Sequence, residues 1–364
     1  MTHPSDPGFI QIPLQALKGR GSATRLAHRF ERDAREPFDD GWSREDEANP
    51  AATTTWVWED CKSAITRNNS PDIGFDLSVN PYRGCEHGCS YCYARPSHSY
   101  LGLSPGLDFE TRLIAKRGLR ERLLHELASP RYRPDLMALG TVTDAYQPLD
   151  RELRLSRDVL EVLHDCHHPV AIVTKGSGIE RDIDLLAAMA SRRLAGVYVS
   201  VTTLQAELAR RMEPRAAAPW RRLRTIRTLA DAGIPVGVSV SPQIPFLNDD
   251  MEQVLEAARD AGARSAFYVV LRLPWELSPL FRQWLQLHFP ERAARVMARI
   301  QDLRGGKDYD ASFASRRSGQ GVWADLLAQR FAKACQRLGL QRGHPDWTID
   351  QFRPPSVSRQ MGLF

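Results

Sequence analysis

Cys85-Glu86-His87-Gly88-Cys89-Ser90-Tyr91-Cys92 places three cysteines at a C-x3-C-x2-C spacing, directly after an apolar stretch that runs into a turn at residues 75–81. Gly84 and Gly88 give this loop backbone angles that other residues rarely adopt, so one loop can aim all three sulfurs at one centre. Thiolates select zinc or iron–sulfur clusters. Four protein ligands would close either kind of site, whereas three leave one metal position open for a substrate or cofactor.

A structural zinc site or a redox cysteine cluster is the competing interpretation of this loop. Either would need a fourth Cys or His ligand at a set spacing, and His87 lies inside the loop where it could serve. A zinc- or cluster-stabilised nucleic-acid-binding module without turnover therefore remains open.

Composition indicates an ordinary globular protein: of 364 residues, 42% are hydrophobic and 26% are charged. The sequence has no apolar run long enough to span a bilayer and no cleavable signal at its start, so we expect a cytoplasmic protein without membrane contact. Six cysteines, three of them clustered, favour a reducing compartment over a disulfide framework. The net charge of +5 is compatible with a nucleic acid or another phosphate-bearing substrate, and equally with an arginine-rich proteome.

Strand-like and helix-like segments alternate from Phe75 onward. Each of six apolar strands is followed by a helix-like segment, which predicts an α/β fold with a parallel sheet covered on both faces. The predicted strands are 74–79, 136–142, 169–174, 195–201, 234–240 and 265–271, and the predicted helices are 111–128, 151–165, 180–193, 219–232, 249–261, 279–303 and 321–338.

These segments divide the chain into three predicted parts. Residues 1–70 form an N-terminal extension that is partly mobile, residues 71–300 form the core, and residues 301–364 form a C-terminal helical extension and tail. Six strand–helix units are two short of a closed eight-unit barrel. Active sites of parallel barrels lie at the carboxyl ends of the strands, which is where the cysteine loop falls.

The cysteine spacing, with aromatic Tyr91 directly before the third cysteine, resembles the cluster loop of the radical S-adenosylmethionine (radical SAM) enzymes. Within that superfamily the chain is similar to the spore photoproduct lyase-like group, and more closely to a DNA repair photolyase-like branch of uncharacterised bacterial proteins. The segments that carry this similarity are 80–85, 91–95, 143–148, 213–215 and 245–249.

The resemblance implies a partial (β/α)6 TIM-like barrel with N- and C-terminal extensions. It implies that Cys85, Cys89 and Cys92 hold a [4Fe-4S] cluster whose fourth iron binds S-adenosylmethionine (SAM), and that SAM is cleaved to a 5′-deoxyadenosyl radical. The implied partners are an electron donor such as flavodoxin or ferredoxin and a DNA, RNA or modified-base substrate, with lyase chemistry in DNA repair as one outcome. A radical SAM enzyme that acts on a peptide or small metabolite is the remaining alternative.

Polar residues just past the predicted strands are the candidates for binding SAM. Thr143 and Asp144 correspond to the family segment that receives the SAM amino group, although Asp144 could instead cap a simple turn. Lys175 could pair with a carboxylate or phosphate, or lie solvated at the surface. The remaining candidates are Tyr91 for adenine, Ser200 and Thr202 for the ribose, and Glu213 and Arg215 for the charged groups of SAM, with a helix-capping ion pair as their alternative.

Tyrosines are the candidates for a catalytic role. Spore photoproduct lyase flanks its third cluster cysteine with tyrosines linked to radical transfer, as Tyr91 and Tyr93 do here. That lyase also uses a further cysteine as hydrogen-atom donor, and no cysteine lies at the end of the second predicted strand of this chain. We therefore predict Tyr93 or Tyr146 in that role.

Overall fold

The structure is a computed structural model that describes residues 15–31, 53–343 and 347–355. Strands and helices alternate through most of the chain. The strands are β1 (Thr55–Asp60), β2 (Ile65–Arg67), β3 (Leu77–Val79), β4 (Tyr82–Arg83), β5 (Arg112–Arg117), β6 (Met137–Leu139), β7 (Val170–Thr174), β8 (Ala195–Ser200), β9 (Val236–Ser239), β10 (Ser265–Phe267) and β11 (Gln341–Arg342).

Eleven α-helices lie within the described residues. They are α1 (Asp108–Thr111), α2 (Leu119–Leu127), α3 (Asp150–Leu153), α4 (Leu155–Asp165), α5 (Ile183–Ala190), α6 (Ala206–Met212), α7 (Pro219–Asp231), α8 (Met251–Asp260), α9 (Leu277–His288), α10 (Pro290–Asp302) and α11 (Val322–Leu338). In the described part of the chain, no helix is both long enough and apolar enough to cross a bilayer.

The main sheet has eight strands in the order β11-β10-β9-β8-β7-β6-β3-β2, and only β2 is antiparallel to its neighbour. The six predicted strands correspond to β3, β6, β7, β8, β9 and β10, in sequence order across the sheet. In the part of the chain that the structure describes, the outer strands β2 and β11 do not pair with each other, so the barrel is open. The predicted partial barrel is confirmed.

The apolar composition of the strands explains their position at the centre of the fold. Every residue of β8 and β9 is buried, as is typical of strands at the centre of a parallel sheet. Two of these helices stop where predicted: Gly233 and Gly262 follow α7 and α8 with φ of +79° and +109°, angles at which glycine carries no steric penalty.

Three helix predictions were wrong in detail. The predicted helix 151–165 is two helices, α3 and α4, separated by Arg154, whose φ is +53°. Residues 112–117 form β5, which pairs with β1 in a second sheet of order β1-β5-β4, and the helix begins only at Leu119. The leucine spacing resembled a helix, but the alternating burial along β5 matches a strand. The predicted helix 279–303 is two helices, because Pro290 cannot continue α9 and begins α10.

The extensions pack against the core where the structure describes them. The Arg29 guanidinium donates to the Glu276 carboxylate at 2.7 Å, and the Arg330 guanidinium on α11 donates to Glu252 on α8 at 2.7 Å. Strand β11 pairs with β10 and extends the main sheet. Residues 1–14 and 32–52 of the predicted N-terminal extension, and 344–346 and 356–364 of the C-terminal one, lie outside the described residues. The predicted domain limits stay predictions.

Candidate functional site

The cysteine loop follows the short strand β4 at the carboxyl end of β3. The backbone N–H of Cys85 donates to the Phe109 carbonyl at 2.9 Å, which fixes the start of the loop. Gly84 has a φ of +77°, and a Cβ there would lie 2.7 Å from the same carbonyl, so only glycine fits. The thiols of Cys85 and Cys89 are buried, and that of Cys92 is half-buried.

A buried ion pair holds the backbone of this loop in place. The Arg95 guanidinium donates to the carbonyls of Gly88 and Cys89 at 3.0 and 2.8 Å and to the Glu110 carboxylate at 3.0 Å. Glu110 also accepts the backbone N–H of Ser22 at 2.9 Å, so the N-terminal segment is attached to the same carboxylate. With both charges buried and hydrogen-bonded, this pair holds the loop in one conformation.

All three thiols line one cavity of about 280 Å³ at the carboxyl ends of the parallel strands. This volume lies at the lower end of the range for small-molecule sites. The predicted residues that share this cavity are Cys85, Cys89, Tyr91, Cys92, Tyr93, Thr143, Asp144, Lys175 and Ser200. These residues lie as far apart in sequence as Cys85 and Ser200, and the fold brings them together.

Asp144, just past β6, joins two walls of the cavity. Its carboxylate accepts the Thr174 hydroxyl and the Lys175 backbone N–H, each at 2.7 Å, and lies 3.2 Å from Nδ1 of His87. Burial alone would raise the pKa of Asp144, but His87 and these hydrogen bonds hold it well below its ordinary value. Asp144 also accepts the backbone N–H of Tyr146 at 2.9 Å, so the turn that the sequence allowed is present as well.

Thr143 contacts the cysteine loop rather than standing free in the cavity. Its hydroxyl donates to the Gly84 carbonyl at 2.6 Å and accepts the Gln147 side-chain amide at 2.9 Å. The side-chain oxygen Oε1 of Gln147 in turn accepts the backbone N–H of Glu86 at 2.9 Å. The segment after β6 and the cysteine loop are therefore one hydrogen-bonded unit.

Glu213 lies behind Tyr91 and Thr202 in the wall of the cavity. Its carboxylate accepts the Tyr91 hydroxyl and forms a buried ion pair with Arg222, and the Thr202 hydroxyl donates to it at 2.6 Å. Burial would raise the pKa of Glu213, but the Arg222 charge outweighs this and lowers the pKa to about 2. Thr202 and Glu213 do not line the cavity themselves, so they position Tyr91.

The Lys175 side chain lies between the cysteine loop and this carboxylate. Its Nζ is 5.7 Å from the centre of the Tyr91 ring. Burial would lower the pKa of Lys175, but attraction to the thiolate form of Cys89 and to the Glu213 carboxylate outweighs burial and raises it. The lysine therefore carries a positive charge beside the thiols.

Besides Thr202 and Glu213, two further predicted residues do not line the cavity, and Tyr93 lies at its opening. Arg215 donates to the Glu86 carboxylate at 2.8 Å on the outer side of the cysteine loop. The Tyr146 hydroxyl donates to the buried Asp182 carboxylate at 3.1 Å. The Tyr93 side chain lines the cavity with 46% of its residue surface exposed, and its hydroxyl donates to the Thr141 carbonyl.

The sequence model of the radical SAM superfamily matches residues 79–261. This range runs from the end of β3 to just past α8, and it contains all three cysteines of the loop. The chain belongs to the radical SAM superfamily. It is accordingly an enzyme of the radical SAM class.

Sequence relatives of this radical SAM protein are uncharacterised. An uncharacterised protein of Mycobacterium tuberculosis is 36% identical over 239 residues, which cover 65% of this chain and 70% of the relative. An uncharacterised protein of Methanocaldococcus jannaschii is 25% identical over 60% of this chain and 78% of the relative.

Solved structures of spore photoproduct lyase share the fold. A mutant of that enzyme with bound AdoMet and dinucleoside spore photoproduct aligns at a TM-score of 0.52, with 14% identity, over 80% of this chain and 82% of the other. A second mutant structure of the lyase has the same TM-score and covers 79% and 81% of the two chains. At this identity the similarity shows the fold alone, which is the partial barrel of a radical SAM enzyme.

Radical SAM superfamily members use a [4Fe-4S] cluster and SAM, and the residues of the cavity fit such cofactors. Three thiols from one loop supply sulfur ligands, which are the ligands that hold iron–sulfur clusters. Burial raises the pKa of Cys89 to about 12, so metal binding would have to displace the proton of this thiol. Among the described residues, no three His, Cys, Asp or Glu side chains converge closely enough to hold one metal ion.

Several residues of the radical SAM site were not predicted as such. His87 was considered only as a fourth zinc ligand, yet its ring pairs with Asp144. A histidine inside the cysteine loop was the one available signal. Arg95, Glu110 and Arg222 act through contacts between segments distant in sequence, for which no local pattern exists.

Proposed function

We propose that this enzyme binds a [4Fe-4S] cluster through Cys85, Cys89 and Cys92, together with SAM, and acts on a nucleic acid or a modified base. The observation that carries the proposal is the shared cavity: three thiols of one loop and the polar side chains after β6, β7 and β8 line it together. When bound, the cluster and SAM supply reductive cleavage of SAM to a 5′-deoxyadenosyl radical that abstracts a hydrogen atom. An external electron donor such as flavodoxin or ferredoxin is part of the proposal.

The chain's own residues would position the cofactors and shield them from water. Arg95 and Glu110 hold the loop backbone so that the thiols face the cavity. Lys175 would balance negative charge at the cluster, because its ammonium lies beside Cys89. Thr143, Asp144 and Ser200 would contact SAM at the strand ends, and the Tyr91 ring would lie near adenine.

Tyr93 is the proposed hydrogen-transfer residue. In the described part of the chain, the cavity is lined by no cysteine other than the three of the loop. The Tyr93 side chain reaches the same cavity from a position next to Cys92 and is partly exposed. The net charge of +5 is compatible with a nucleic-acid substrate.

Anaerobic reconstitution with iron and sulfide tests the cofactor proposal. We expect about four irons per chain, as a [4Fe-4S] cluster requires, and formation of 5′-deoxyadenosine when dithionite is added with SAM. Cys89→Ala should lose both, whereas Cys61→Ala, which changes a thiol outside the cavity, should lose neither.

Two results would reject the proposal. One is zinc as the metal of the anaerobically purified protein, with no SAM cleavage after reconstitution. The other is 5′-deoxyadenosine formation that survives the triple Cys85→Ala, Cys89→Ala, Cys92→Ala substitution.

A further inference from the structure

Two arginines line the same cavity as the cysteine loop. Arg272 comes from the segment after β10, and Arg317 comes from the loop between α10 and α11. The Val270 N–H donates to the Arg317 carbonyl at 2.8 Å, so the two segments run side by side. The buried Arg304 donates to the carbonyls of Leu271 and Ser315 at 2.8 and 2.7 Å, which fastens both segments together.

Neither guanidinium forms a salt bridge with any residue that the structure describes. The Asp72 carboxylate lies near Arg317, but Arg316 occupies both of its oxygens at 2.7 and 2.5 Å. Within the described residues, the Arg317 guanidinium donates to the Asp72 backbone carbonyl and to no carboxylate. Burial, together with the neighbouring Arg272 charge, lowers the pKa of Arg317, although Asp72 opposes this. Two positive charges therefore line one cavity, and nearby carboxylates of the described residues neutralise them only in small part.

Apolar and aromatic surface lies beside these charges. The Arg272 guanidinium is 4.6 Å from the centre of the Tyr93 ring. Ile73, Phe75 and Val142 line the same cavity, and Val142 is 40% exposed. The only carboxylate among the described lining residues is Asp144, and it is already paired with His87.

We infer that Arg272 and Arg317 form a phosphate-binding site that holds a phosphodiester of a single-stranded nucleic acid while the adjoining base enters the cavity beside Tyr93. The inference rests on the proposed function and names the substrate-contacting residues of that site. Guanidinium groups suit this task because their planar N–H pairs match two phosphate oxygens. An apolar wall with an aromatic ring next to such groups is the surface on which a base stacks.

Salt-dependent binding to the reconstituted holoenzyme tests this site. The probe is an eight-nucleotide, fluorescein-labelled single-stranded DNA of mixed sequence, and the readout is fluorescence anisotropy over a series of salt concentrations. Each lost phosphate contact should reduce the slope of log affinity against log salt by about 0.7 for a single strand. We therefore expect a loss of about 0.7 for Arg272→Gln or Arg317→Gln and about 1.4 for the double variant.

Arg259→Gln is the matched control. It removes the same charge from a surface ion pair with Asp260 at the end of α8, away from the cavity. Its salt slope should equal that of the wild-type protein. A DNA of the same sequence with a neutral methylphosphonate backbone should bind the wild-type protein weakly. Its affinity for the double glutamine variant should be no higher than its affinity for the wild type.

Unchanged slopes in the double variant, equal binding of the neutral probe, or no DNA binding by the wild-type protein would each overturn the inference. If the glutamine variants fold poorly, Arg272→Lys and Arg317→Lys keep the charge and should keep the slope. The proposed function is read separately, from 5′-deoxyadenosine formation in the wild-type protein. Arginine-dependent DNA binding without SAM cleavage would refute the proposed function but not the phosphate site. SAM cleavage without arginine-dependent DNA binding would refute the phosphate site but not the proposed function.

Discussion

The Glu213 carboxylate and the Arg222 guanidinium form an ion pair inside the cavity wall, with 0% and 2% of their side-chain surfaces exposed. Arg222 also donates to the Ser200 carbonyl at 3.1 Å, at the end of β8. The pair therefore connects the end of a core strand to the Tyr91 hydroxyl in the cysteine loop. Desolvation offsets much of the attraction within an intact buried pair, but removal of one partner leaves the other charge buried without compensation.

Replacing Glu213 by glutamine should destabilise the protein strongly. The substitution leaves the Arg222 charge buried without a counter-ion, which costs about 3–5 kcal/mol in comparable cases. The measurement is the free energy of unfolding in urea at pH 7. Glu207→Gln on α6 breaks an exposed i,i+4 pair with Arg211 and should change stability by no more than about 0.5 kcal/mol. Similar losses in the two variants would contradict the role of the buried pair.

The contribution of Glu213 to stability should depend on pH in one direction. Its pKa is about 2 in the folded protein, below the ordinary value of about 4.3 in an unfolded chain. The unfolded chain therefore takes up the proton first, so the stabilisation is present above pH ~4.3 and is lost as pH falls toward 2. The difference in urea midpoint between wild type and Glu213→Gln should be constant from pH 7 to 5 and shrink below that. A difference that grows on acidification would refute the lowered pKa.

Asp144→Asn should reduce the activity of the enzyme more than it reduces the stability of the fold. The asparagine keeps the size of the side chain but removes the charge that pairs with His87 and part of the bonding to Lys175. Residues that orient the groups around a metal centre typically contribute 10–100-fold to metal affinity or activity. We expect a loss of about that size in 5′-deoxyadenosine formation by the reconstituted variant.

The surface provides a matched comparison for Asp144. His164 and Asp165 form a pair with the same 3.2 Å separation, but both side chains are exposed. Asp165→Asn should retain full activity. Equal activity in the two asparagine variants would show that Asp144 has no role in the site.

Tyr146→Phe separates a catalytic role from a structural one. The tyrosine hydroxyl donates to Asp182 and lies off the cavity, so its removal should cost about 1 kcal/mol of stability and leave SAM cleavage intact. Urea unfolding and 5′-deoxyadenosine formation measure the two effects. Loss of 5′-deoxyadenosine formation at unchanged stability would contradict a purely structural role of Tyr146.

The open parallel barrel was predictable because its signal is local. Six apolar runs of strand length, separated by amphipathic segments, determine which residues are buried and so specify a covered parallel sheet. Strand β5 was missed because leucine spacing suggests a helix, whereas pairing with β1 makes residues 112–117 a strand. That pairing joins segments more than 50 residues apart, and no short window contains it.

The sequence by itself determined where the cysteines fall and that polar residues follow the strands, because spacing and periodicity are properties of neighbouring residues. Only the tertiary structure decided which of those polar residues reach the cavity. Thr143, Asp144, Lys175 and Ser200 line it, whereas Glu213 and Arg215 are engaged by Arg222 and Glu86. Arg272 and Arg317, which form no salt bridge within the described residues, likewise come together only through folding. Charge pairing depends on which side chains come within a few ångströms of one another, and that distance is set by the packing of the whole chain.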